Sequence, residues 1–356
     1  MRYHLATTLL TPHRPLSSGF PNEPPPFEMV HGAAMALVGG TDAGAAAAAG
    51  WTIAQLAAAC GKPAAELTLR ECLEAAVAGN GGLDVLNQYS IPYGKPQLRA
   101  AIVAYVRSFH GVAFDAETEV TCCLGATEGF ASTLRAVCEP GDAVAMFQPY
   151  HELYTSQVEV FGMKPRFVTL GEGEGSWGFD REAFSAAVSG ARAFLFCSPH
   201  NPTGKVFSAE ERQFVLDTCC AAGCLIITDD IYEHITYNAE KPHVPLWAME
   251  NVRESGNVVA VNSASKTGSA TGWRVGWILA SPELTVKIRG VHDSLVIQAP
   301  TPMQAGCEKL LQLDKSWFAG QAALYKAKRD LLLPALEACG FVMRAEVEGS
   351  YYVFGT

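Results

Sequence analysis

The sequence contains few charged residues and no excess of basic ones. Asp, Glu, Lys and Arg make up 17% of the 356 residues, and 26 Lys and Arg against 36 Asp and Glu give a formal net charge of −10. A chain with this charge and no basic stripe is a poor candidate for binding nucleic acid or an anionic membrane surface. No apolar run approaches the ~18–20 residues of a membrane span. The apolar content of 49% excludes the disordered and fibrous classes.

The eleven cysteines lack the spacing of a disulfide framework or a metal site. Their number is odd, no two are separated by two residues, and Cys219-Cys220-x3-Cys224 has no neighbouring histidine cluster. Cys122-Cys123 and Cys219-Cys220 each lie within an apolar run. We therefore expect buried free thiols in a reducing compartment such as the cytoplasm, and no bound metal.

The N-terminal part of the sequence also lacks acidic residues, the first of which is Glu23. Residues 1–27 are rich in proline, and their arginines give them some likeness to a mitochondrial or plastid transit peptide. An extended arm explains the prolines more simply and is our prediction. Residues 31–80 are alanine-rich, and the capping box Thr68-Leu-Arg-Glu71 predicts short helices there.

From Lys95 onward, helix-like and strand-like segments alternate. Apolar residues at helical spacing between Pro96 and Gly111 predict one helix, and the capping box of Ser208 with Glu211 begins another. Short unbroken apolar runs indicate strands that are buried on both faces, so we expect an α/β fold with a mainly parallel sheet covered by helices on both faces. The predicted helices are Lys95–His110, Thr127–Val137 and Ser208–Ala222. The predicted strands are Val120–Leu124, Ala143–Phe147, Phe167–Leu170, Phe194–Cys197, Leu225–Thr228 and Val258–Asn262.

Polar residues follow several of these strands, at the sheet edge where ligands of such folds bind. Gly125-Ala-Thr127 joins a strand to a helix, and the backbone N–H groups of such a turn suit a phosphate. Asn201 lies in the loop Ser198–Gly204, which two prolines and a glycine make rigid. Asp229 emerges from an apolar strand, where a carboxylate is costly without a cationic partner. A helix cap is the plainer interpretation of this aspartate.

A lysine completes this set. Lys266 follows an apolar strand and is surrounded by Ser, Gly, Ala and Thr. Most lysines are solvated surface charges, but an amine in this setting is typical of a positioned nucleophile whose pKa can fall. A lysine, a buried carboxylate and polar groups for a phenolic oxygen and a phosphate are together what pyridoxal 5'-phosphate requires. The residues therefore predict this cofactor.

On these residues the chain resembles the fold-type I aminotransferases of class I and II. Within that class it is most similar to the kynurenine/glutamine aminotransferase branch, which includes cysteine-conjugate β-lyases. The resemblance covers nearly the whole chain, and its segments are Gly19-Phe-Pro-Asn-Glu-Pro-Pro-Pro26, Asn87-Gln-Tyr-Ser90, Ser198-Pro-His-Asn-Pro-Thr-Gly204, Thr228-Asp-Asp-Ile-Tyr-Glu233 and Ser263-Ala-Ser-Lys…Thr271-Gly-Trp-Arg274. It implies a seven-stranded-type, mainly parallel sheet in a large cofactor domain, a smaller α+β domain, and a homodimer with shared active sites.

The resemblance also implies catalytic roles for individual residues. Lys266 would bind the cofactor covalently and then act as acid and base. Asp229 would pair with the pyridine nitrogen, and Asn201 and Tyr232 would hydrogen-bond the phenolic oxygen. Asn201 would also contact the substrate.

Further positions are implied to hold the phosphate, the cofactor ring and the substrate. The residues implied to bind the phosphate are Gly125, Ala126, Thr127, Ser263 and Arg274. Tyr89 would reach the phosphate in the neighbouring subunit, and Gly19 would lie near the substrate carboxylate. The family places an aromatic ring over the cofactor in a Pro-x-aromatic-x-x-Tyr pattern. Here Pro149-Tyr-His-Glu-Leu-Tyr154 has His151 at that position, which can stack but can also titrate.

Two departures from the family affect the expected domains. Gly19 and Asn87 are 68 positions apart, more than the family needs, which indicates an alanine-rich insertion. The family also continues beyond Gly349-Ser-Tyr-Tyr352, and that continuation carries the arginine that grips the substrate α-carboxylate, so no residue is assigned that role. We expect an arm with insertion over 1–86 that belongs to the small domain, a large cofactor domain over 87–310, and a truncated start of the C-terminal small domain over 311–356.

Three functions follow from this interpretation. The leading hypothesis is transfer of an amino group from a bulky, aromatic or sulfur-containing L-amino acid (kynurenine, glutamine, methionine or aromatic type) to a 2-oxo acid. The second is β-elimination from cysteine conjugates, which His151 and the branch resemblance motivate. The third is a truncated, catalytically impaired paralogue that binds the cofactor or dimerises.

Overall fold

The structure is a computed structural model that describes residues 25–30, 32–33, 61, 63, 89–173, 175–238, 243–250, 252–343 and 345–355. Most of the predicted arm and of the alanine-rich helices, with the capping box Thr68–Glu71, lies outside the described residues. So do Gly19 and Asn87.

Helices and strands alternate along the described chain. The helices are α1 (Pro96–His110), α2 (Gly125–Val137), α3 (Leu153–Val160), α4 (Arg181–Val188), α5 (Ala209–Ala222), α6 (Val252–Ser255), α7 (Ala264–Thr267), α8 (Pro282–Val296), α9 (Thr301–Leu311) and α10 (Lys315–Ala338). The strands are β1 (Val120–Cys123), β2 (Ala143–Gln148), β3 (Lys164–Glu172), β4 (Trp177–Phe179), β5 (Ala193–Cys197), β6 (Leu225–Asp229), β7 (Val258–Ser263) and β8 (Gly276–Leu279).

The described strands form one sheet in the order β1-β8-β7-β6-β5-β2-β3-β4. The five central strands, β7, β6, β5, β2 and β3, pair in parallel, whereas β8 is antiparallel to β1 and β7, and β4 is antiparallel to β3. The predicted α/β class with a mainly parallel sheet is therefore confirmed. Seven strands make up the main sheet, and the three-residue β4 adds an eighth at its edge.

Both faces of the sheet are buried. Along β2, Val144 and Met146 pack in one core cluster with Phe130 of α2, while Ala145 and Phe147 pack in another with Phe184 of α4. Side chains alternate in this way because successive residues of a strand point to opposite faces. A strand that is buried on both faces consists of apolar residues throughout, which is why these strands read as unbroken apolar runs.

The predicted ends of two helices are confirmed. Pro96 lies in the first turn of α1, and Gly111 ends the helix with a left-handed φ of 73°. At α5, the side chain of Ser208 accepts from the N–H of Glu211 and the side chain of Glu211 accepts from the N–H of Ser208. A cap of this kind stabilises a helix by about 1 kcal/mol.

The nine described cysteines are all free thiols, and seven of them are buried. The expectation of burial is wrong for Cys339 and for Cys220, which is exposed next to the buried Cys219. Adjacent residues of an α-helix point about 100° apart, so α5 buries one thiol of the pair and turns the other to solvent. No helix among the described residues is long and apolar enough to cross a membrane.

The described C-terminal residues pack over loops at the carboxyl edge of the sheet. The N–H groups of Glu348 and Gly349 both donate to the carbonyl of Gly204, at 3.0 and 2.9 Å. Ser350 donates to the carbonyl of Ile235 at 2.8 Å, and the hydroxyl of Tyr237 donates to the carbonyl of Ser350. These bonds bring Tyr351 and Tyr352 to the edge where β5, β6 and β7 end.

Candidate active site

The parallel register brings the ends of three strands together. Cys197 of β5 lies opposite Asp229 of β6, and Asp229 lies opposite Val261 of β7. Asp229 is the last residue of its strand, and Ser263 is the last residue of β7. The loops that begin at these positions carry Asn201, Tyr232 and Lys266, so residues that are distant in sequence share one edge of the sheet.

Asp229 is a buried carboxylate with a hydrogen-bond donor that the sequence analysis did not assign. The hydroxyl of Tyr154 donates to its Oδ2 at 2.5 Å, and the N–H of Ile231 donates to Oδ1 at 3.4 Å. Burial raises the pKa of Asp229 to about 6, although these two bonds and the charge of Lys266 favour the ionised form. Tyr154 is the last residue of the pattern Pro149–Tyr154, which was its only sequence signal.

Lys266 is a half-buried lysine whose charge interacts with that carboxylate. It lies in the short helix α7, and its Nζ is 5.6 Å from the ring centroid of Tyr351. Burial lowers the pKa of Lys266 to about 8; the charge of Asp229 opposes this shift and that of Arg274 adds to it. A lysine in this environment is partly neutral at mildly alkaline pH and can act as a nucleophile or base.

Three tyrosines form an aromatic wall beside the amine. The ring centroid of Tyr232 lies 5.4 Å from that of Tyr351 and 5.9 Å from that of Tyr352, in edge-on arrangements. The hydroxyl of Tyr232 donates to that of Tyr352 at 3.3 Å. Burial raises the pKa of Tyr232 well above its usual value, so its hydroxyl keeps its proton and can donate. The sequence analysis did not assign Tyr351 or Tyr352, because only the folded chain brings them here.

The turn at the start of α2 has the features of an anion site. Gly125 has a φ of 73°, and a Cβ atom at this position would lie 2.5 Å from Nη2 of Arg274. That nitrogen donates to the hydroxyl of Thr127 at 3.2 Å and to the carbonyl of Leu124 at 3.4 Å. Leu124 is the N-cap residue and has no polar side chain to cap the helix. A guanidinium and the first N–H groups of a helix therefore converge on one small turn.

The remaining predicted residues have different settings. Asn201 is buried in its loop, and Ser263 is buried and caps α7 by accepting from the N–H of Ser265 at 3.3 Å. The ring centroid of His151 lies 5.7 Å from that of Tyr154, and burial followed by the charge of Lys266 lowers the pKa of His151. Tyr89 is not part of this group of contacts: its side chain is 75% exposed.

The comparisons with known proteins agree with this architecture. The sequence model of the family "Aminotransferase class I and II" matches residues 61–355. A probable N-succinyldiaminopimelate aminotransferase of Mycobacterium tuberculosis is 32% identical over 269 residues, which are 75% of this chain and 67% of that protein. A kynurenine–oxoglutarate transaminase of Dictyostelium discoideum is 29% identical over 76% of this chain and 65% of that protein. The chain thus spans about two thirds of the length of these relatives.

A solved structure has the same fold. The N-succinyldiaminopimelate aminotransferase structure from Mycobacterium tuberculosis superposes with a TM-score of 0.78 and 29% identity, covering 95% of this chain and 76% of that one. The chain belongs to the class I and II aminotransferases. Members of this family use pyridoxal 5'-phosphate, as the sequence predicted.

The residues of this edge fit that cofactor. The turn at Gly125 leaves no room for a Cβ atom and presents a guanidinium beside helix N–H groups, which suits a phosphate ester. Asp229 is a buried carboxylate whose hydrogen-bond donors among the described residues, Tyr154 and Ile231, are both uncharged, and a protonated ring nitrogen would supply a cation. Lys266 provides the amine.

Proposed function

We propose that this chain is an aminotransferase that moves an amino group from a bulky, aromatic or sulfur-containing L-amino acid to a 2-oxo acid. The observation that carries the proposal is a half-buried lysine and a buried carboxylate close enough for each to shift the pKa of the other, next to a turn with the features of an anion site. The family supplies the reaction class, and these residues supply the groups that it needs.

Each residue has a task in this proposal. When bound, pyridoxal 5'-phosphate supplies an electrophilic carbon and a ring that accepts electrons. Asp229 would hold a proton on the ring nitrogen, and Tyr232 and Asn201 would donate to the phenolic oxygen. Lys266 Nζ takes the proton from the substrate Cα and later returns one, for which a pKa of about 8 is well suited. His151 would pack against the ring, and its lowered pKa favours the neutral imidazole there.

The remaining proposed contacts hold the phosphate. The guanidinium of Arg274, the hydroxyls of Thr127 and Ser263 and the N–H groups of Gly125 and Ala126 would bind its oxygens.

The aromatic wall supports a bulky donor. The ring centroid of Tyr351 lies 5.6 Å from Lys266 Nζ, and Tyr232 packs edge-on against Tyr351 and Tyr352. Aromatic side chains pack favourably against such rings, and thioethers make favourable sulfur–aromatic contacts. The name of one relative, a kynurenine–oxoglutarate transaminase, agrees with an aromatic donor. We therefore place kynurenine, glutamine, methionine and the aromatic amino acids in the candidate group.

We also propose a homodimer in which Tyr89 completes the site of the neighbouring subunit. The support is that Tyr89 is exposed while its neighbour Ser90 is held by Gln298, whose Oε1 accepts from the N–H of Ser90 at 2.5 Å. The predicted parts 1–86, 87–310 and 311–356 are proposed as the arm with insertion, the cofactor domain and part of the C-terminal small domain.

The test is a panel of amino donors with several 2-oxo acid acceptors, assayed by product formation and by the visible absorption of the bound cofactor. We expect turnover with an aromatic or sulfur-containing donor and a spectral shift when the donor is added. Lys266→Ala should lower kcat by at least about 10³-fold, since it removes a general acid–base group and the covalent link. Asp180→Ala, a change at the exposed cap of α4, serves as a control for handling and folding.

Two outcomes would contradict the proposal. Full activity of Lys266→Ala would remove the lysine from the mechanism. Release of pyruvate and a thiol from a cysteine conjugate, without any 2-oxo acid acceptor and without transamination, would favour β-elimination instead. Among the described residues, the observation relevant to that alternative is His151, whose lowered pKa favours the uncharged ring at neutral pH and makes an imidazolium acid less available.

A further inference from the structure

A buried histidine–glutamate pair lies directly behind the turn that we propose binds the phosphate. Glu128 is in the first turn of α2, and His292 is on α8. Nδ1 of His292 lies 3.1 Å from both carboxylate oxygens of Glu128, and Nε2 lies 3.0 Å from the carbonyl oxygen of Pro92. The histidine is completely buried, and the glutamate is 7% exposed.

Both partners of the imidazole are hydrogen-bond acceptors. A carbonyl oxygen and a carboxylate oxygen can only accept, so the ring satisfies both only when each of its nitrogens carries a proton. With Glu128 ionised, the geometry therefore points to an imidazolium at His292. Burial would favour the neutral ring, but the hydrogen bond and the charge of Glu128 outweigh it and raise the pKa of His292 above its usual value.

Glu128 in turn fixes the backbone of the proposed phosphate turn. Its Oε2 accepts from the N–H of Leu124 at 2.9 Å, and the hydroxyl of Ser132 donates to its other oxygen. The carbonyl of the same Leu124 accepts from Nη2 of Arg274 at 3.4 Å. Leu124 is thus held on both sides: its N–H donates to the carboxylate of Glu128, and its carbonyl accepts from the guanidinium of Arg274.

The charge of Glu128 is unfavourable for an anion at this position. The N-terminus of a helix attracts phosphate, whereas a buried carboxylate in the first turn repels it. A cationic His292 makes the pair neutral. If His292 lost its proton, the carboxylate would be uncompensated, and one of the two hydrogen bonds of the ring would be lost.

We propose that His292 is a positioning residue whose imidazolium neutralises Glu128 and ties the turn at Leu124–Gly125 to the segment 89–95. When the imidazolium loses its proton, the protein loses affinity for the phosphate of its cofactor. The inference rests on the proposed cofactor site. Tyr89 is in the same segment as Pro92, so the pair also connects the phosphate turn with the residue proposed to reach the neighbouring subunit.

The other titratable groups around the pair leave this conclusion unchanged. Asp293, on the same helix as His292, acts in the same direction as Glu128 and also raises the pKa of His292. Cys123 on β1 stays a neutral thiol, because burial and then Glu128 raise its pKa well above the usual value. Arg289, one turn earlier on α8, donates to the carbonyl of Val120 at 2.6 Å.

The first experiment determines the protonation of His292 in the cofactor-free protein. Nitrogen-15 NMR of the imidazoles, assigned by the loss of one signal in His292→Gln, should show both ring nitrogens protonated at pH 7.5. A ring with a single proton at this pH would overturn the inference. This measurement needs neither cofactor nor catalytic activity.

The second experiment compares the affinities for pyridoxal 5'-phosphate and for pyridoxal between pH 7 and 9.5. Above pH 7 the phosphate ester is already a dianion, so the ratio of the two dissociation constants isolates the phosphate contribution from other ionisations. His292→Gln should lower the preference for the phosphorylated form about tenfold at pH 7, the size expected for one uncompensated charge nearby. The wild-type preference should fall toward that of the variant as the pH rises.

Further variants separate charge from packing. His292→Arg, whose guanidinium stays charged at pH 9.5, should keep the preference at that pH. Glu128→Gln, which removes the charge to be compensated, should do the same. The control is His110→Gln, which removes a different buried histidine–glutamate contact, 2.9 Å between Nε2 and Oε2 of Glu233. We expect it to leave the pH dependence of the ratio unchanged.

The outcomes distinguish the inference from the proposed function. If the wild type binds pyridoxal 5'-phosphate with a preference that His292→Gln does not change, the inference is wrong and the cofactor site stands. If the wild type does not bind the cofactor at all, the proposed site is wrong, and the NMR result still decides whether His292 is an imidazolium.

Discussion

Asp229 and Lys266 are two ionisable groups that folding removes from water. Burial raises the pKa of Asp229 to about 6 and lowers that of Lys266 to about 8, and the attraction between their charges opposes both shifts. In the cofactor-free protein a buried carboxylate at neutral pH therefore costs stability. The effect can be measured as a dependence of stability on pH.

We predict that, in the cofactor-free protein, the unfolding free energy of Asp229→Asn increases relative to that of the wild type as the pH rises from 4 to 7.5. The folded-state pKa of about 6 lies above the usual aspartate value of 3.8, so the native state binds more protons than the unfolded state between these values. The favourable contribution of the protonated acid is complete below pH 4 and is lost as the pH rises through 6. Over this pH range the difference in unfolding free energy between Asp229→Asn and the wild type should change by about 3 kcal/mol.

The measurement is the urea unfolding free energy of both proteins at several pH values. Taking the difference at each pH removes the contribution of all other titrating groups that the substitution does not touch. Asp217→Asn, on the exposed side of α5, controls for the removal of one carboxylate. A difference for Asp229→Asn that is flat between pH 4 and 7.5 would mean that the carboxylate is not buried as described.

For single residues, the sequence identified side chains at the ends of strands but did not identify the side chains that they hydrogen-bond. Asp229 and Lys266 could be singled out because each follows an apolar run, which marks the end of a strand. The bond from Tyr154 to Asp229 joins residues 75 positions apart, and that from Tyr232 to Tyr352 joins residues 120 positions apart. No local pattern spans such separations, so only the folded chain reveals these contacts.

Single elements were predictable where the backbone itself requires a particular residue. Pro96, Gly111 and Ser208 mark helix ends by their chemistry, and the structure has those ends within one residue. Strand β3 was predicted as Phe167–Leu170 but extends over Lys164–Glu172. The prediction was too short because the outer residues include exposed and polar ones, which do not continue an apolar run. The antiparallel direction of β8 depends on its pairing with β1 and β7, which its four residues do not encode.

The turn before α2 gives a prediction at the scale of an element. Gly125→Ala should weaken binding of pyridoxal 5'-phosphate by about 10- to 100-fold, since the added Cβ would displace the guanidinium of Arg274, and each charged hydrogen bond is worth roughly 1.5–3 kcal/mol. Affinity is measured by titrating the cofactor-free protein.

Gly111→Ala is the matched control for this prediction. Both glycines have a φ of 73°, so both substitutions introduce the same backbone strain, but nothing lies within 4 Å of a Cβ at Gly111. Its affinity should equal that of the wild type. Equal losses of affinity in the two variants would indicate a general loss of stability and would argue against a phosphate site at Gly125.

The proposed dimer is tested at the scale of the whole molecule. Lys266→Ala and Tyr89→Ala should each lose activity, whereas a mixture that is unfolded and refolded together should recover about a quarter of the wild-type activity. Half of the dimers are then mixed, and each mixed two-fold dimer contains one intact site. Activity that does not return on mixing, although mixed dimers form, would show that Tyr89 and Lys266 do not belong to different subunits of one site.

The position of β1 in the sheet has a consequence for synthesis on the ribosome. Among the described strands β1 pairs only with β8, and Val120 lies opposite Leu279. At roughly 5–20 residues per second, the chain needs about 8–30 s to extend from one to the other. For that period the nascent β1 has an apolar edge without its native neighbour, which is the type of segment that chaperones bind and that aggregates when they are scarce.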